Sequence, residues 1–539
     1  MNGTFETDGR YNVSAIVERQ VGAGRGDALA YIAADGTLSY EQLRQQINRA
    51  GNLLRELGVR REQRILLVLD DTTAFPIIFL GAIRIGAVPV PVSPLDKEDN
   101  FRHFIEDSYA ELVVTDAGSL ERLQAALARR DLRWLVRAGS GSGVEELDEG
   151  LRAQESELSA AATHRDDVAF WLYSSGSTGK PKGVVHLQHD IEVTCVNFAD
   201  QVLGIEPADV TFSTTKLFHA YGLGNGLSFP LWAGATSVLM EGPTKPEPTI
   251  RTLSQHRPTI FFSVPALFSA LVRDPSADGA LESVRFCVSA AEPLPAETGR
   301  RWRERFGVDI VDGIGSTEML HIYCSNRPGQ VALGTSGWPV PGYEVRLVDE
   351  EGRVLEGPGT GTLHVRGDSC AAYYWHQHEK TQSMMLGAWY ATGDRYTRRD
   401  DGAYSYVGRV DDMLKVGGLW VAPVNVEQVL IEHPSVLAAG VVGVVVDGAT
   451  RLAAFIERTG EGDDALADEL RALCKQRLRR YEYPHIITFV DELPRTLTGK
   501  VQRYRLRELA VAAGLATAGL ATAASQAKGA AAGLSISAN

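Results

Sequence analysis

The sequence predicts an α/β chain of more than one domain, and three observations lead there. At 539 residues the chain exceeds what a single hydrophobic core usually serves. From Arg64 onward, short apolar runs alternate with longer amphipathic stretches, the texture of layered and largely parallel sheets. From Tyr343 to Val416 that texture gives way to short strands punctuated by Gly, Asp and Pro, which predicts a more antiparallel, barrel-like subdomain. The first strands are expected at 65–69, 87–92, 112–115, 132–136 and 168–173, with helices at 73–85 and 101–108 among them. Further strands follow at 210–213, 236–240, 259–262, 285–289 and 310–312. Small α+β units return after Asp411, with helices at 423–432 and 465–480 and strands at 438–446, 452–457 and 486–490. Beyond Glu508 the chain is mostly Ala, Gly, Ser and Thr, too poor in large apolar groups to fold alone, and reads as a frayed tail.

Composition narrows the function classes. A formal net charge of −14 argues against a general nucleic-acid or anionic-membrane partner, although it does not forbid an anionic ligand at a locally basic site. No apolar run approaches the ~20 residues of a membrane helix, and the first twenty residues lack the apolar centre of a signal peptide. Cys195, Cys287, Cys324, Cys370 and Cys474 lack metal-ligand or CxxC spacing and read as buried free thiols. The expectation is a soluble cytoplasmic protein, monomeric or homodimeric.

The most informative stretch is Tyr173-Ser174-Ser175-Gly176-Ser177-Thr178-Gly179-Lys180-Pro181-Lys182-Gly183. Its glycines let backbone N–H groups approach an anion, its hydroxyls add donors and its lysines supply charge, so its natural ligand is a polyphosphate. A Walker P-loop needs Gly where this chain has Ser174, and Ser or Thr where it has Pro181. Pro181 also argues against a helix continuing from the loop. The plain alternative is a flexible Ser/Gly solvent loop.

Four more segments follow in order: Gly315-Ser316-Thr317-Glu318, Tyr390-Ala391-Thr392-Gly393-Asp394, Gly408-Arg409-Val410-Asp411-Asp412, and Pro494-Arg495-Thr496-Leu497-Thr498-Gly499-Lys500. With the loop, these resemble the signatures of the adenylate-forming superfamily, over roughly residues 12–508. Within that superfamily, Lys216 to Asn225 and Asp312 to Ile322 look most like benzoate-CoA ligases. The resemblance implies a large N-terminal domain over 1–410 and a small mobile C-terminal domain over 411–508, which leaves the compositional tail at 509–539. It also implies the reaction. A carboxylate attacks the α-phosphorus of ATP, pyrophosphate leaves, and the acyl-AMP accepts the thiol of coenzyme A. Both partners of the first step are anions, so such a site calls for cations, a metal carboxylate and positioning groups rather than a covalent nucleophile.

By resemblance, Lys500 bridges carboxylate and α-phosphate, although an isolated lysine in such a turn reads as solvated. Glu318 is the implied magnesium carboxylate and Thr317 an α-phosphate donor; the same residue types also suit a helix-start cap. The loop from Ser174 to Lys182, including Lys180, is implied to cover the β- and γ-phosphates. Asp394 is implied to accept the ribose hydroxyls with Arg409 assisting, and Ala291, Glu292 and Asp312 to form the adenine-side wall. Asp411 is the implied pivot, after which a face with Lys415, Gly417 and Gly418 closes for thioester formation.

The acid pocket is implied at His219, Ala220, Tyr221 and Gly222, with Gly313, Gly315, His321 and Ile322 opposite. Small residues beside Tyr and Ile suggest a flat apolar slot for an aromatic ring. His321 reads equally as a pocket group or a packed core histidine. His219 stands where benzoate-CoA ligases often carry an aromatic residue, which leaves room for substituted benzoates or arylpropenoates. Two other readings stay open: an enzyme that loads an aryl acid onto a carrier protein, and a nucleotide-binding scaffold without catalysis.

Overall fold

The computed structural model describes residues 6–7, 9–126, 132–137, 145–174, 180–416, 419–446, 449–460, 462–479, 481–495 and 501–515. The early apolar runs form a five-stranded parallel sheet, ordered Val88–Pro91, Arg64–Val68, Leu112–Asp116, Arg133–Arg137, Glu145–Glu146. The helix Ala74–Arg84 is buried along its whole length, and so its sequence is apolar on every side.

The later runs build a nine-stranded sheet. Its middle is parallel: Ile310–Gly315, Phe286–Ser289, Ile260–Ser263, Val210–Ser213, Thr236–Val238 and Leu29–Ala33. The edges turn antiparallel, through Ile322–Ser325 and Trp338–Pro339 at one end and Gly36–Ser39 at the other. A third, antiparallel sheet joins Val168–Ser174, Lys182–Leu187 and Tyr373–Tyr374. The basic loop thus connects two hairpin strands, with Ser174 opposite Lys182, and a strand rather than a helix follows Pro181.

The segment expected to be antiparallel is so. Glu344–Val348, Gly359–Arg366, Trp389–Arg398, Met385–Leu386 and Tyr404–Arg409 form one five-stranded sheet. After Asp411 comes the ribbon Leu414–Val416/Leu419–Val421, then a three-stranded sheet of Val436–Val446, Ala449–Arg458 and Ile486–Val490. Successive residues of its first strand face opposite ways. Val441 packs with Leu430 and Leu470 of the helices Pro423–Ile431 and Asp464–Arg477, whereas Val442 packs with Leu506 of the helix Arg503–Ala512. That last helix runs past Glu508 with Ala510 fully buried, so 509–512 belong to packed structure, a correction to a tail beginning at 509. All five cysteines are free thiols, and no described helix is long and apolar enough to cross a membrane.

Candidate active site

One hairpin carries both halves of the candidate site. The strand Ile310–Gly315 holds Asp312, Gly313 and Gly315; the 3-10 turn Thr317–Met319 holds Thr317 and Glu318; His321 and Ile322 lead into the return strand. Ser316 caps the turn by accepting the Met319 N–H, so the cap reading of this motif holds alongside the functional one. Leu320, just after the turn, has φ +63°, a left-handed backbone uncommon for a residue with a side chain.

The buried Glu318 is met by the neighbouring sheet. Lys182 Nζ lies 2.9 Å from Oε1, and the Tyr374 hydroxyl donates to the same oxygen at 2.8 Å. The ammonium also stands 4.0 Å from the Tyr374 ring centroid. Burial would push this carboxyl up, but the Lys182 charge, with the hydrogen bonds from Lys182 and Tyr374, outweighs it and holds the group below the usual carboxylate range. An ionised, hard oxygen with both side-chain donors converging on Oε1 fits a magnesium ligand shared with phosphates. No cluster of three or more His, Cys, Asp or Glu suited to a metal occurs among the described residues.

Of the expected phosphate loop, Ser174 ends its strand with a buried hydroxyl that has no partner among the described residues, and Lys180 is exposed. Ser175, Gly176, Ser177, Thr178 and Gly179 lie outside the described residues, as do Gly417, Gly418 and Lys500. The loop's base is fixed: His103 Nε2 is 2.7 Å from the Pro181 carbonyl, and Tyr173 donates to Asp107 at 2.7 Å.

Asp394 and Arg409 are direct register partners on adjacent strands, with Arg409 Nη1 3.2 Å from Asp394 Oδ1. Asp312 is buried, its Oδ1 has no partner among the described residues, and burial pushes its carboxyl up to about 8. Ala291 adopts φ +78°, a second left-handed non-glycine position near the expected nucleotide side, and the half-buried Glu292 follows it. Asp411 lies exposed in the short turn Val410–Asp412, and Lys415 is exposed on the ribbon, 5.8 Å from the Trp420 ring centroid.

The expected acid pocket converges on His321. This ring is buried among Phe229, Phe198 and Tyr221, with centroids at 4.5, 5.4 and 5.4 Å. Nε2 donates toward Asn225 Oδ1 at 3.1 Å and the Tyr221 carbonyl at 3.3 Å, leaving Nδ1 with no partner among the described residues. Burial pulls the imidazole down to about 3, so it is neutral at ordinary pH. The helical run that faces it passes from α (Ala220–Leu223) through a π-helical stretch (Gly224–Ser228) and back to α (Phe229–Ala233), a device frequent at functional sites. His219 precedes the first turn, half-buried against Phe218, and Ala220 is buried.

The glycines act differently from empty space. A Cβ on Gly222 would lie 2.1 Å from the Lys216 carbonyl oxygen, one on Gly315 2.6 Å from the His321 carbonyl oxygen, and one on Gly313 2.9 Å from both the Ile322 side chain and the Cys324 carbonyl oxygen. Their missing side chains admit neighbouring atoms, so what they offer a ligand is backbone. Sequence reasoning missed Tyr374 and His186; the latter's Nε2 lies 2.8 Å from the Thr317 carbonyl oxygen. Only strand pairing, Val184 opposite Tyr374, reveals that the Tyr373-Tyr374 doublet reaches this site.

Residues 17–375 match the model of the AMP-binding enzyme family, and 425–500 that of the AMP-binding enzyme C-terminal domain. The benzoate–CoA ligase of Thauera aromatica is 45% identical over 507 residues, covering 92% of this chain and 96% of that protein. The crystal structure of a benzoate CoA ligase from Burkholderia xenovorans LB400 superposes with TM-score 0.87 at 42% identity, covering 92% of this chain and 100% of the other. The anthranilate CoA ligase AuaEII, solved in complex with anthranoyl-AMP, gives TM-score 0.91 at 37% identity over 94% of this chain and 99% of the other.

Proposed function

Because this chain belongs to the AMP-binding enzyme family, we propose that it is an ATP-dependent aryl-carboxylate–CoA ligase acting on benzoate-sized acids. The reaction runs through an aryl-adenylate to a CoA thioester, with release of pyrophosphate and AMP. The observation that carries the reading is a single hairpin joining an ionised, Lys182-paired Glu318 to the buried His321 packed among aromatic rings.

Each residue has a task in this reading. Glu318 would hold magnesium, which when bound would offset negative charge on the phosphates. Thr317 donates to the α-phosphate, while Lys180, Lys182 and the loop from Ser174 to Gly179 hold the β- and γ-phosphates. Asp394 accepts the ribose hydroxyls, with Arg409 fixing the carboxylate. Burial raises the Asp312 carboxyl to about 8, which lessens the negative charge it adds beside two anionic reactants. Lys500 bridges the carboxylate and the α-phosphate during adenylation. Rotation about Asp411 then brings the face bearing Lys415, Gly417 and Gly418 to the aryl-AMP, with domains over 1–410 and from 411 onward. Neutral His321, Tyr221, Ala220 and Ile322 bound the ring, His219 stands at the slot's margin, and Gly222, Gly313 and Gly315 supply backbone walls.

An acid panel from benzoates through cinnamates to octanoate, assayed by mass for CoA thioester, tests the reading. Benzoates giving the highest kcat/KM support it, whereas octanoate exceeding every benzoate removes the aryl assignment. Pyrophosphate exchange with no CoA thioester from any acid removes CoA as the acceptor.

A further inference from the structure

The turn that carries Thr317 and Glu318 is too short to hold itself. Each of its three carbonyls is tied to another part of the chain: Thr317 O to His186 Nε2 at 2.8 Å, Glu318 O to the Ala371 N–H at 2.7 Å, and Met319 O to the Ser369 hydroxyl at 2.9 Å. Ser369 is itself 2.7 Å from the Tyr343 hydroxyl. Of these ties, the histidine is the one whose chemistry exceeds simple packing. Its ring is fully buried, stacks on Phe170 at 5.2 Å, and places Nδ1 2.8 Å from Oδ2 of the equally buried Asp190.

Both ring nitrogens therefore face acceptors. A neutral imidazole carries one N–H and satisfies only one of them. The pair satisfies both only when Nε2–H is donated to Thr317 and a further proton is shared between Nδ1 and Asp190. Asp190 Oδ2 also accepts the Leu187 N–H at 3.0 Å, so an oxygen is required at that position. We propose that His186, held by Asp190, is a positioning residue for adenylation: its Nε2–H fixes the Thr317 carbonyl and so sets where the Thr317 hydroxyl and the Glu318 carboxylate stand against the phosphates. This rests on the metal role given to Glu318 above.

Two amides separate the ring's two bonds. A Gln amide nitrogen stands about where Nε2 does and keeps the bond to Thr317; an Asn amide nitrogen stands about where Nδ1 does and keeps only Asp190. The measurements are acid-dependent ATP–pyrophosphate exchange against Mg2+ concentration, calorimetric ATP binding with and without Mg2+, thioester formation from supplied aryl-AMP, and thermal unfolding. H186N is expected to raise the Mg2+ needed for half-maximal exchange by about 10–100-fold and to weaken Mg2+-dependent ATP binding, with H186Q within about threefold of wild type. Both should leave the thioester step unchanged.

D190N carries the same expectation as H186N, because an amide supplies no anion: with its oxygen facing the Leu187 N–H and Nδ1, the single proton of a neutral ring sits on Nδ1 and Nε2 has none to give Thr317; it decides the case if H186N does not fold. Equal behaviour of H186N and H186Q, parallel loss of both half-reactions, or failure of both H186N and D190N to fold would assign the pair to the core and overturn the proposal. Wild-type chain that exchanges no pyrophosphate with any aryl acid would overturn the functional reading instead.

Discussion

Gly224→Ala isolates the packing of the aryl slot. Gly224 has helical backbone, φ −60° and ψ −58°, where alanine gains up to about 1 kcal/mol over glycine. The added methyl, however, would lie 2.3 Å from His321 Cδ2 and 2.6 Å from Nε2. Carbon atoms settle about 3.5–4.0 Å apart, so the imidazole must retreat by roughly 1 Å or more. Phe198, Phe229 and Tyr221 surround it and leave little room. Overpacking of this kind costs about 1–3 kcal/mol, which exceeds the helical gain. Shifting a positioning group by about 1 Å costs on the order of 10²-fold in rate. The expected outcome in steady-state thioester assays is a benzoate kcat/KM lowered about 10–100-fold, with little change in the KM for ATP. Wild-type benzoate kinetics in G224A, or equal losses for benzoate and ATP, would refute the placement of His321 against the ring.

Three further outcomes follow from the site. Lys500→Ala should lower adenylation by at least about 10²–10³-fold while sparing thioester formation from supplied aryl-AMP; equal damage to both steps removes its specific role. Glu318→Gln keeps size and loses the anion, so the Mg2+ dependence of adenylation should weaken with thermal unfolding little changed, and an unchanged Mg2+ titration removes Glu318 from the metal site. Asp312→Asn tests a buried carboxyl whose titration burial raises. Burial raises its folded value to about 8, so its stability contribution is full below the unfolded range near 4 and is lost as pH rises toward 8. D312N should therefore gain thermal stability relative to wild type between pH 5 and pH 8, and a pH-independent difference contradicts the assignment.

Much of the scaffold was legible because buried parallel strands are written as continuous apolar runs. Ile486–Val490 matches its expected bounds, and Arg64–Val68 and Ile260–Ser263 match theirs within a residue. The strand Ile310–Gly315 runs beyond the expected 310–312 because its last residues include two glycines, which carry no apolar signal yet let the return strand approach. The helix Tyr40–Glu56 was missed although its signal was present: Ser39 and Gln42 form a capping box. The ordered motifs carried the family. The ties that hold the site were not readable, since Lys182, Tyr374 and His186 meet the Thr317–Glu318 turn only through strand pairing and tertiary packing.

The central claim is that the acid's own oxygen attacks the α-phosphorus of ATP. Incubating the chain with ATP, Mg2+, CoA and benzoate labelled with 18O in both carboxyl positions tests it directly by mass analysis of all products. The account predicts AMP carrying one 18O, unlabelled pyrophosphate, and benzoyl-CoA retaining the other label. Label in pyrophosphate or inorganic phosphate, formation of ADP, or AMP without 18O beside benzoyl-CoA would contradict it.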